Sequence, residues 1–137
     1  DRYSGYSNLK LLAEIQNNIS DAEIKEVLSL VGLNEEASKK KYRKYSLGMK
    51  QRLGIAAAIM ENPDIIILDE PTNALDMAGV ELVKGILQKQ KERGALCILS
   101  CHDLPVLESL SDEIIKLEEG KIIEHISLSK AGEGTEF

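Results

Sequence analysis

Ile65-Ile66-Ile67-Leu68-Asp69-Glu70-Pro71-Thr72-Asn73-Ala74-Leu75-Asp76 is the most informative stretch of this chain. An apolar run of strand length ends in two adjacent carboxylates, and a short polar loop then ends in a third. We expect a buried strand that exposes Asp69 and Glu70 at its carboxyl end, the edge where open α/β sheets bind ligands. One acid there could hold a metal ion on the phosphates of a nucleotide, and the other could orient a water for attack. The alternative is a buried strand that exits into an acidic turn without a ligand.

The composition is that of a soluble globular protein, with 137 residues, 43% hydrophobic and 29% charged. A net charge of -6 argues against binding to duplex nucleic acid, which favours a basic excess. No apolar segment approaches the ~18 residues of a membrane span, and no signal peptide opens the chain. Residues 1–6 resemble the middle of a protein, so we expect the chain to be part of a longer one.

The two cysteines, Cys97 and Cys101, lie four positions apart in or near an apolar run and next to His102. A metal site requires more ligands than these. We therefore expect two reduced thiols packed in or near the core.

The first half of the chain predicts only helices. One covers residues 7–17. The second begins at a capping box, Ser20-Asp21-Ala22-Glu23, and ends at Gly32. Residues 34–44 form a charged connector rich in lysine and arginine. We interpret it as a solvated loop or helix end, and a dedicated anion site is the alternative.

The second half alternates between strands and helices, which favours a parallel sheet with a right-handed crossover. A helix from Met49 to Glu61, stopped by Asn62-Pro63, precedes it. The elements predicted after that helix are apolar, buried strands at 64–68 and 95–99, helices at 77–93 and 104–110, and a hairpin of 113–117 and 121–124 around Glu119-Gly120. Asp103 can cap the helix at 104–110, with Pro105 tolerated in its first turn. The fold class is α/β, with a helical subdomain followed by parallel core strands, a crossover helix and a C-terminal β-hairpin.

Two strands of a parallel sheet end at the same edge, and the second runs towards His102. The pattern therefore predicts a polar site that combines a metal-binding acid, a candidate base and a histidine. A purely structural role for His102 is the alternative.

Tyr45-Ser46-Leu47-Gly48-Met49 directly precedes or opens the helix after the connector. Free N–H groups, a serine hydroxyl and the positive end of the helix dipole at such a terminus bind phosphate. The alternative is an ordinary helix N-cap.

Together these motifs resemble the ATP-binding subunits of ABC transporters. Residues 45–49 stand where that family carries its Leu-Ser-Gly-Gly-Gln signature, and Lys50-Gln51-Arg52-Leu53 continues the similarity. Ile65–Glu70 resembles the Walker B strand with the catalytic glutamate, Asn73–Asp76 the D-loop, and His102 the switch histidine. The resemblance spans residues ~7–124 and implies part of a P-loop NTPase fold.

The resemblance implies a role for each of these residues. Asp69 would hold Mg²⁺ through its water shell, Glu70 would polarise the attacking water, and His102 would contact the γ-phosphate of ATP. Asp76 would communicate across a dimer of two nucleotide-binding subunits. ATP bound to the partner subunit would be contacted by four residues of the signature: Ser46, Leu47, Gly48 and Met49.

The resemblance also implies an organisation and a location. Residues 1–48 would form the helical subdomain with the signature at its end, residues 49–126 the C-terminal part of the ATPase core, and residues 127–137 a tail. The partners would be a second nucleotide-binding subunit and membrane-spanning transporter subunits, with the chain cytoplasmic and peripheral on the inner face of the cell membrane. The style of the signature is most similar to bacterial drug or antimicrobial-peptide exporters.

The chain departs from the family pattern in two ways. Leu47 and Met49 replace a glycine and a glutamine of the signature. No G-x-x-x-x-G-K-[ST] phosphate loop occurs in the sequence, so we expect this chain alone to bind ATP weakly and to be inactive. The alternatives to a transport ATPase are a soluble ABC-type ATPase that acts on ribosomes or DNA, and a non-catalytic interaction module.

Overall fold

The computed structural model describes residues 2–16 and 18–128. The chain divides into two units, Asp1–Ser100 and Cys101–Phe137. The first unit contains helices α1 (Gly5–Gln16), α2 (Asp21–Leu30), α3 (Glu35–Lys39), α4 (Leu47–Ile59) and α5 (Met77–Glu92), a 3-10 turn (Tyr42–Lys44), and strands β1 (Ile65–Asp69) and β2 (Leu96–Ser100). The second unit contains α6 (Leu104–Leu110), β3 (Glu113–Glu118) and β4 (Lys121–Ser127). The mixed α/β class is confirmed.

Side-chain caps explain where the helices begin. The predicted capping box of α2 is present, because Ser20 accepts from the N–H of Glu23 and the Glu23 carboxylate accepts from the N–H of Ser20 at 2.7 Å. The predicted connector 34–44 instead contains α3, since Asn34 accepts from the N–H of Ala37 at 2.8 Å.

Helices α1, α2 and α4 pack against one another and enclose the apolar core of the first unit. The α2 stripe of Ile24, Val27 and Leu28 is buried, as its 3.6-residue period predicts. Leu9 of α1 is as deeply buried as Ile24, with 1% of its surface exposed. Helix α4 adds the buried side chains of Leu53 and Ile59, so the core depends on all three helices.

Strands β1 and β2 pair in parallel, with Ile65 opposite Leu96 and Asp69 opposite Ser100. The chain passes from one strand to the other through α5, which confirms the predicted parallel sheet. Helices α4 and α5 pack on this sheet, α4 on β1 and α5 on β2.

The expectation that both strands are buried throughout is wrong. In β1 only Ile66 and Leu68 are buried, while Ile65 and Ile67 are 58% and 71% exposed. In β2 no residue is fully buried. Side chains alternate between the two faces of a strand, and helices cover only the face that carries Ile66 and Leu68.

The second unit is a short helix followed by a β-hairpin. Asp103 caps α6 by accepting from the N–H of Val106 at 3.2 Å, with a proline in the first turn as the sequence predicts. The hairpin turn is Glu119-Gly120, and both residues have positive φ, 48° and 75°. Two positive φ angles are the signature of a type I′ turn, whose twist matches that of the strands.

The predicted tail began at Ser127, but Ser127 is the last residue of β4. Residues 129–137 of that tail lie outside the described residues, and the predicted boundaries at 48 and 126 stay predictions. None of the helices in the described ranges combines the length and apolar character that crossing a bilayer demands.

Candidate functional site

The acid pair lies at the carboxyl end of β1, as predicted. Asp69 is the last residue of the strand, and Glu70 is the first residue of the turn that follows. Glu70 has a φ of 48°, a left-handed conformation that is unfavourable for a residue with a side chain. Its carbonyl accepts from the N–H of Asn73 at 3.1 Å, which closes the turn. The backbone therefore changes direction at Glu70.

Ser100, the last residue of β2, contacts both members of the acid pair. Its hydroxyl lies 2.5 Å from Asp69 Oδ1 and 3.1 Å from the backbone N of Glu70. The same N–H also points to the carbonyl of Ser100 at 3.1 Å. Asp69 and the Glu70 peptide are thus attached to the neighbouring strand.

A side chain of α4 contacts the same turn from another direction. Gln51 Nε2 donates to the carbonyl of Glu70 at 3.0 Å. Because Gln51 lies in the second turn of the helix that Ser46 caps, this bond connects the signature helix to the acid pair.

The predicted phosphate-binding terminus begins earlier than expected, since α4 starts at Leu47 and not at Met49. The cause is Ser46, whose hydroxyl accepts from the N–H of Met49 at 3.2 Å and so acts as the N-cap. Leu47 is 66% exposed. The ordinary N-cap is therefore present, and the N–H groups of Leu47 and Gly48 in the first turn have no partner within the helix.

Gly48 brings this turn close to the loop of Asn73–Asp76. A Cβ at position 48 would lie 3.2 Å from the carbonyl oxygen of Ala74 and 3.6 Å from Leu75 Cδ2. A contact of 3.2 Å is tight, so with any larger residue at position 48 the loop would have to yield by a few tenths of an ångström.

A pocket of about 430 Å³ lies between these two segments and is lined by residues 46–49, Arg52 and residues 74–76. Asp76 forms one wall and caps α5, since its Oδ1 accepts from the N–H of Gly79 at 2.8 Å. The structure therefore brings together Ser46, Leu47, Gly48, Met49 and Asp76, which the sequence suggested separately.

Arg52 is one of the residues that line this pocket. A Cβ at Gly79 would lie 3.4 Å from Arg52 Nη2, and one at Gly32 would lie 3.2 Å from Nη1. The guanidinium thus lies between the end of α2 and the first turn of α5. Among the described residues, Arg52 Nε is buried without a hydrogen-bond partner.

His102 lies two residues beyond β2 and belongs to the second unit. Its position relative to the acid pair stays a prediction. Cys101 donates to the carbonyl of Asp103 at 3.5 Å, and neither Cys97 nor Cys101 forms a disulfide. Burial raises the pKa of the Cys97 thiol, which disfavours its reactive thiolate.

Sequence reasoning did not single out Gln51, Arg52 or Ser100 as functional residues. For Ser100 a signal existed, because parallel strands that end together place the last residues of each strand side by side. For Gln51 and Arg52 the only signal was their position directly after the signature, which does not show what they contact.

A family model described as "ABC transporter" matches residues 3–73, just over half of the chain. The chain is 41% identical over 128 residues to the bacitracin transport ATP-binding protein of Enterococcus faecalis, covering 93% of this chain and 41% of that protein. It is 39% identical over 133 residues to a lantibiotic transport ATP-binding protein of Streptococcus pyogenes, covering 97% of this chain and 56% of that protein. The chain thus spans about half the length of these curated relatives.

The structure is also similar to a solved structure, a dimeric ATP-binding cassette in a post-hydrolysis state with bound ADP and phosphate. The TM-score is 0.83 at 26% sequence identity, and the match covers 92% of this chain and 57% of that one.

Proposed function

Because the chain belongs to the ABC transporter family, we propose that it forms part of an ATP-binding subunit that couples ATP hydrolysis to transport across a membrane. One observation carries this proposal. A hydrogen bond from Gln51 to the carbonyl of Glu70 connects the helix that starts at the signature with the turn that holds the acid pair. In this proposal the bond couples nucleotide contact at the signature to the geometry of the acid pair.

The residues present fit a magnesium ion held with the phosphates of ATP. Asp69 offers an exposed carboxylate, which is the hard oxygen ligand that Mg²⁺ prefers. Throughout residues 2–16 and 18–128, no group of three or more His, Cys, Asp or Glu side chains could hold a metal ion. One carboxylate with phosphates and water is how nucleotide enzymes commonly hold Mg²⁺. Bound there, Mg²⁺ would neutralise charge on the phosphates.

In this proposal Glu70 orients and polarises the water that attacks the γ-phosphate. A carboxylate next to the metal-holding acid suits this role, because phosphoryl transfer depends mainly on positioning and electrostatic stabilisation. His102 is proposed to contact the γ-phosphate.

The signature residues are proposed to bind ATP held by a second copy of the subunit. The first turn of α4 offers N–H groups, and the Ser46 side chain is exposed beside them. Leu47 and Met49 depart from the family pattern, and the N–H of Met49 is already bonded to Ser46, so the contact would run through the backbone N–H groups of Leu47 and Gly48. Asp76, in the wall of the same pocket, is proposed to communicate between the two subunits.

The partners of this subunit are therefore a second nucleotide-binding subunit and membrane-spanning transporter subunits, with no nucleic acid. The solved cassette with a similar structure is dimeric. Two relatives are named for transport of bacitracin and of a lantibiotic, and we infer export of an antimicrobial peptide for this protein. The location that follows is the cytoplasmic face of the cell membrane.

The proposal is tested by Glu70→Gln in the full polypeptide in which this sequence occurs. The substitution removes the carboxylate charge but keeps the shape of the side chain, so ATP turnover should fall about 10²- to 10⁴-fold while ATP remains bound. Steady-state phosphate release and equilibrium nucleotide binding measure the two quantities. Glu81→Gln, an exposed change on α5, is the matched control and should leave both unchanged. Turnover by the Glu70→Gln variant at the wild-type rate would contradict the role of Glu70.

A further inference from the structure

We propose that Ser100 is a positioning residue for ATP hydrolysis, which holds the Asp69 carboxylate and the Glu70 peptide in their working geometry. This inference rests on the proposed function for its consequence in turnover. Its structural part, the fixing of two groups by one hydroxyl, can be tested without any turnover.

The register of the sheet places Ser100 directly beside Asp69. Asp69 and Ser100 are partners at the ends of β1 and β2. Partner residues of neighbouring strands project to the same face, so both side chains lie on the face of the sheet that the helices leave uncovered. A register shift of one residue would send the hydroxyl to the other face.

The direction of each hydrogen bond follows from the donors available. The N–H of Glu70 can only donate, so Ser100 Oγ accepts it at 3.1 Å. The hydroxyl then has its own proton to give, and the Asp69 carboxylate, an acceptor, lies 2.5 Å away. A bond from a hydroxyl to a carboxylate is short and strong because the acceptor is charged. One side chain thus fixes two groups at once.

The bond uses one oxygen of Asp69 and leaves the other available. Oδ1 accepts from Ser100. Among the described residues, Oδ2 makes no hydrogen bond. A carboxylate fixed through one oxygen keeps one rotamer, so its second oxygen points in one direction and would be available to the water shell of a bound Mg²⁺. Without the hydroxyl the carboxylate would sample several rotamers.

The Glu70 peptide needs support on both sides because of its left-handed φ of 48°. Its N–H is shared by the hydroxyl and the carbonyl of Ser100, and its carbonyl accepts from Gln51. Ser100 therefore contributes to the turn that aims the Glu70 side chain. Backbone pairing alone would still hold the N–H, so loss of the hydroxyl should loosen the turn without unfolding it.

The structural experiment compares the wild-type chain with Ser100→Ala and Ser100→Thr. Three-bond couplings of the Asp69 side chain report its rotamer, and amide hydrogen exchange reports the Glu70 N–H. We expect one dominant rotamer in the wild type, averaged couplings in Ser100→Ala with about tenfold faster exchange at Glu70, and recovery of both in Ser100→Thr. Ser29→Ala is the control, since Ser29 lies exposed on α2 far along the chain from the site.

The turnover experiment uses the same variants in the full polypeptide in which this sequence occurs. Ser100→Ala should lower kcat for MgATP about tenfold with KM changed less than twofold, because the hydroxyl aims reacting groups and does not bind the nucleotide. Ser100→Thr should restore kcat. A loss caused by general unfolding would lower the amount of active protein and would not be restored selectively by a hydroxyl.

The outcomes separate the two proposals. Averaged Asp69 couplings in Ser100→Ala, restored in Ser100→Thr, support the positioning role whether or not the wild type hydrolyses ATP. Absence of turnover in the wild type contradicts the proposed function only. Unchanged couplings and exchange in Ser100→Ala overturn the positioning role, whatever Glu70→Gln does. A kcat of Ser100→Ala equal to that of the wild type, in a protein that Glu70→Gln inactivates, also overturns it.

Discussion

The helices of the first unit and its parallel sheet bury their apolar side chains to very different extents. Ile24 and Leu28 of α2 are 1% and 2% exposed, whereas Ile65 and Ile67 of β1 are 58% and 71% exposed. All four residues are isoleucine or leucine, so the difference in exposure comes from the elements that pack around them. Three helices enclose the first group, while helices cover the sheet on one face only. The tolerance of this protein to substitution should therefore differ sharply between the two regions.

The largest expected effect comes from Leu28→Ala, compared with Ile67→Ala. Removing the Leu28 side chain leaves a cavity among the packed helices, so the free energy of unfolding should fall by about 2–5 kcal/mol. Ile67 already contacts solvent, and its truncation should change the free energy by less than about 0.5 kcal/mol. Urea unfolding of both variants measures the difference. Equal losses would mean that the exposed face of the sheet is covered in solution.

A medium effect is expected from Gly5→Ala, with Gly85→Ala as the matched control. A Cβ at Gly5 would lie 2.0 Å from the Tyr45 hydroxyl oxygen, which donates to the carbonyl of Ala37 at 2.8 Å. The tyrosine must move and lose that bond, so Gly5→Ala should cost about 1–3 kcal/mol.

At Gly85, on the exposed side of α5, a Cβ would meet nothing within 4 Å. Gly85→Ala should therefore add about 0.5–1 kcal/mol of stability, because alanine favours helix. Thermal unfolding of the two variants gives the sign of each effect. Stabilisation by Gly5→Ala would show that the packing around Tyr45 has spare room.

The smallest effect is a local response of α2 to acid. Hydrogen bonds from the Ser20 hydroxyl and N–H hold the pKa of Glu23 below its usual value of 4.5. A group whose pKa is lowered on folding stabilises the fold above that usual value, and the contribution disappears as the pH falls through the lowered pKa. Protection factors for amide exchange at the start of α2, which correct for the intrinsic pH dependence of exchange, should therefore fall below about pH 4.5.

Amides of Ile66 and Leu68 in β1 should respond less over the same pH range, since no capping box supports them. Ser20→Ala should reduce the pH response of α2, because only the backbone N–H of residue 20 then remains to lower the pKa of Glu23. Persistence of the full response in that variant would show that another group titrates.

The sequence predicted several parts of this molecule well, and the reasons are local. The capping box at Ser20, the Asp103 cap and the Glu119-Gly120 turn each depend on side chains within three residues of one another. The βαβ pattern followed from alternating periods, and the acid pair followed from an apolar run that ends in carboxylates. The start of α4 was placed two residues late, because Ser46 caps it from a position that the apolar pattern does not mark.

The motifs and their order were determined by the sequence alone, since residue types and spacings are properties of the chain. Contacts between distant residues were decided by the tertiary structure. Gln51 is 19 residues from Glu70, and Ser100 is 31 residues from Asp69, yet each pair is hydrogen-bonded. Such bonds depend on strand register and helix packing, which arise when separate segments bury apolar surface against each other. For the same reason only the folded chain shows which face of β1 is covered and which is open.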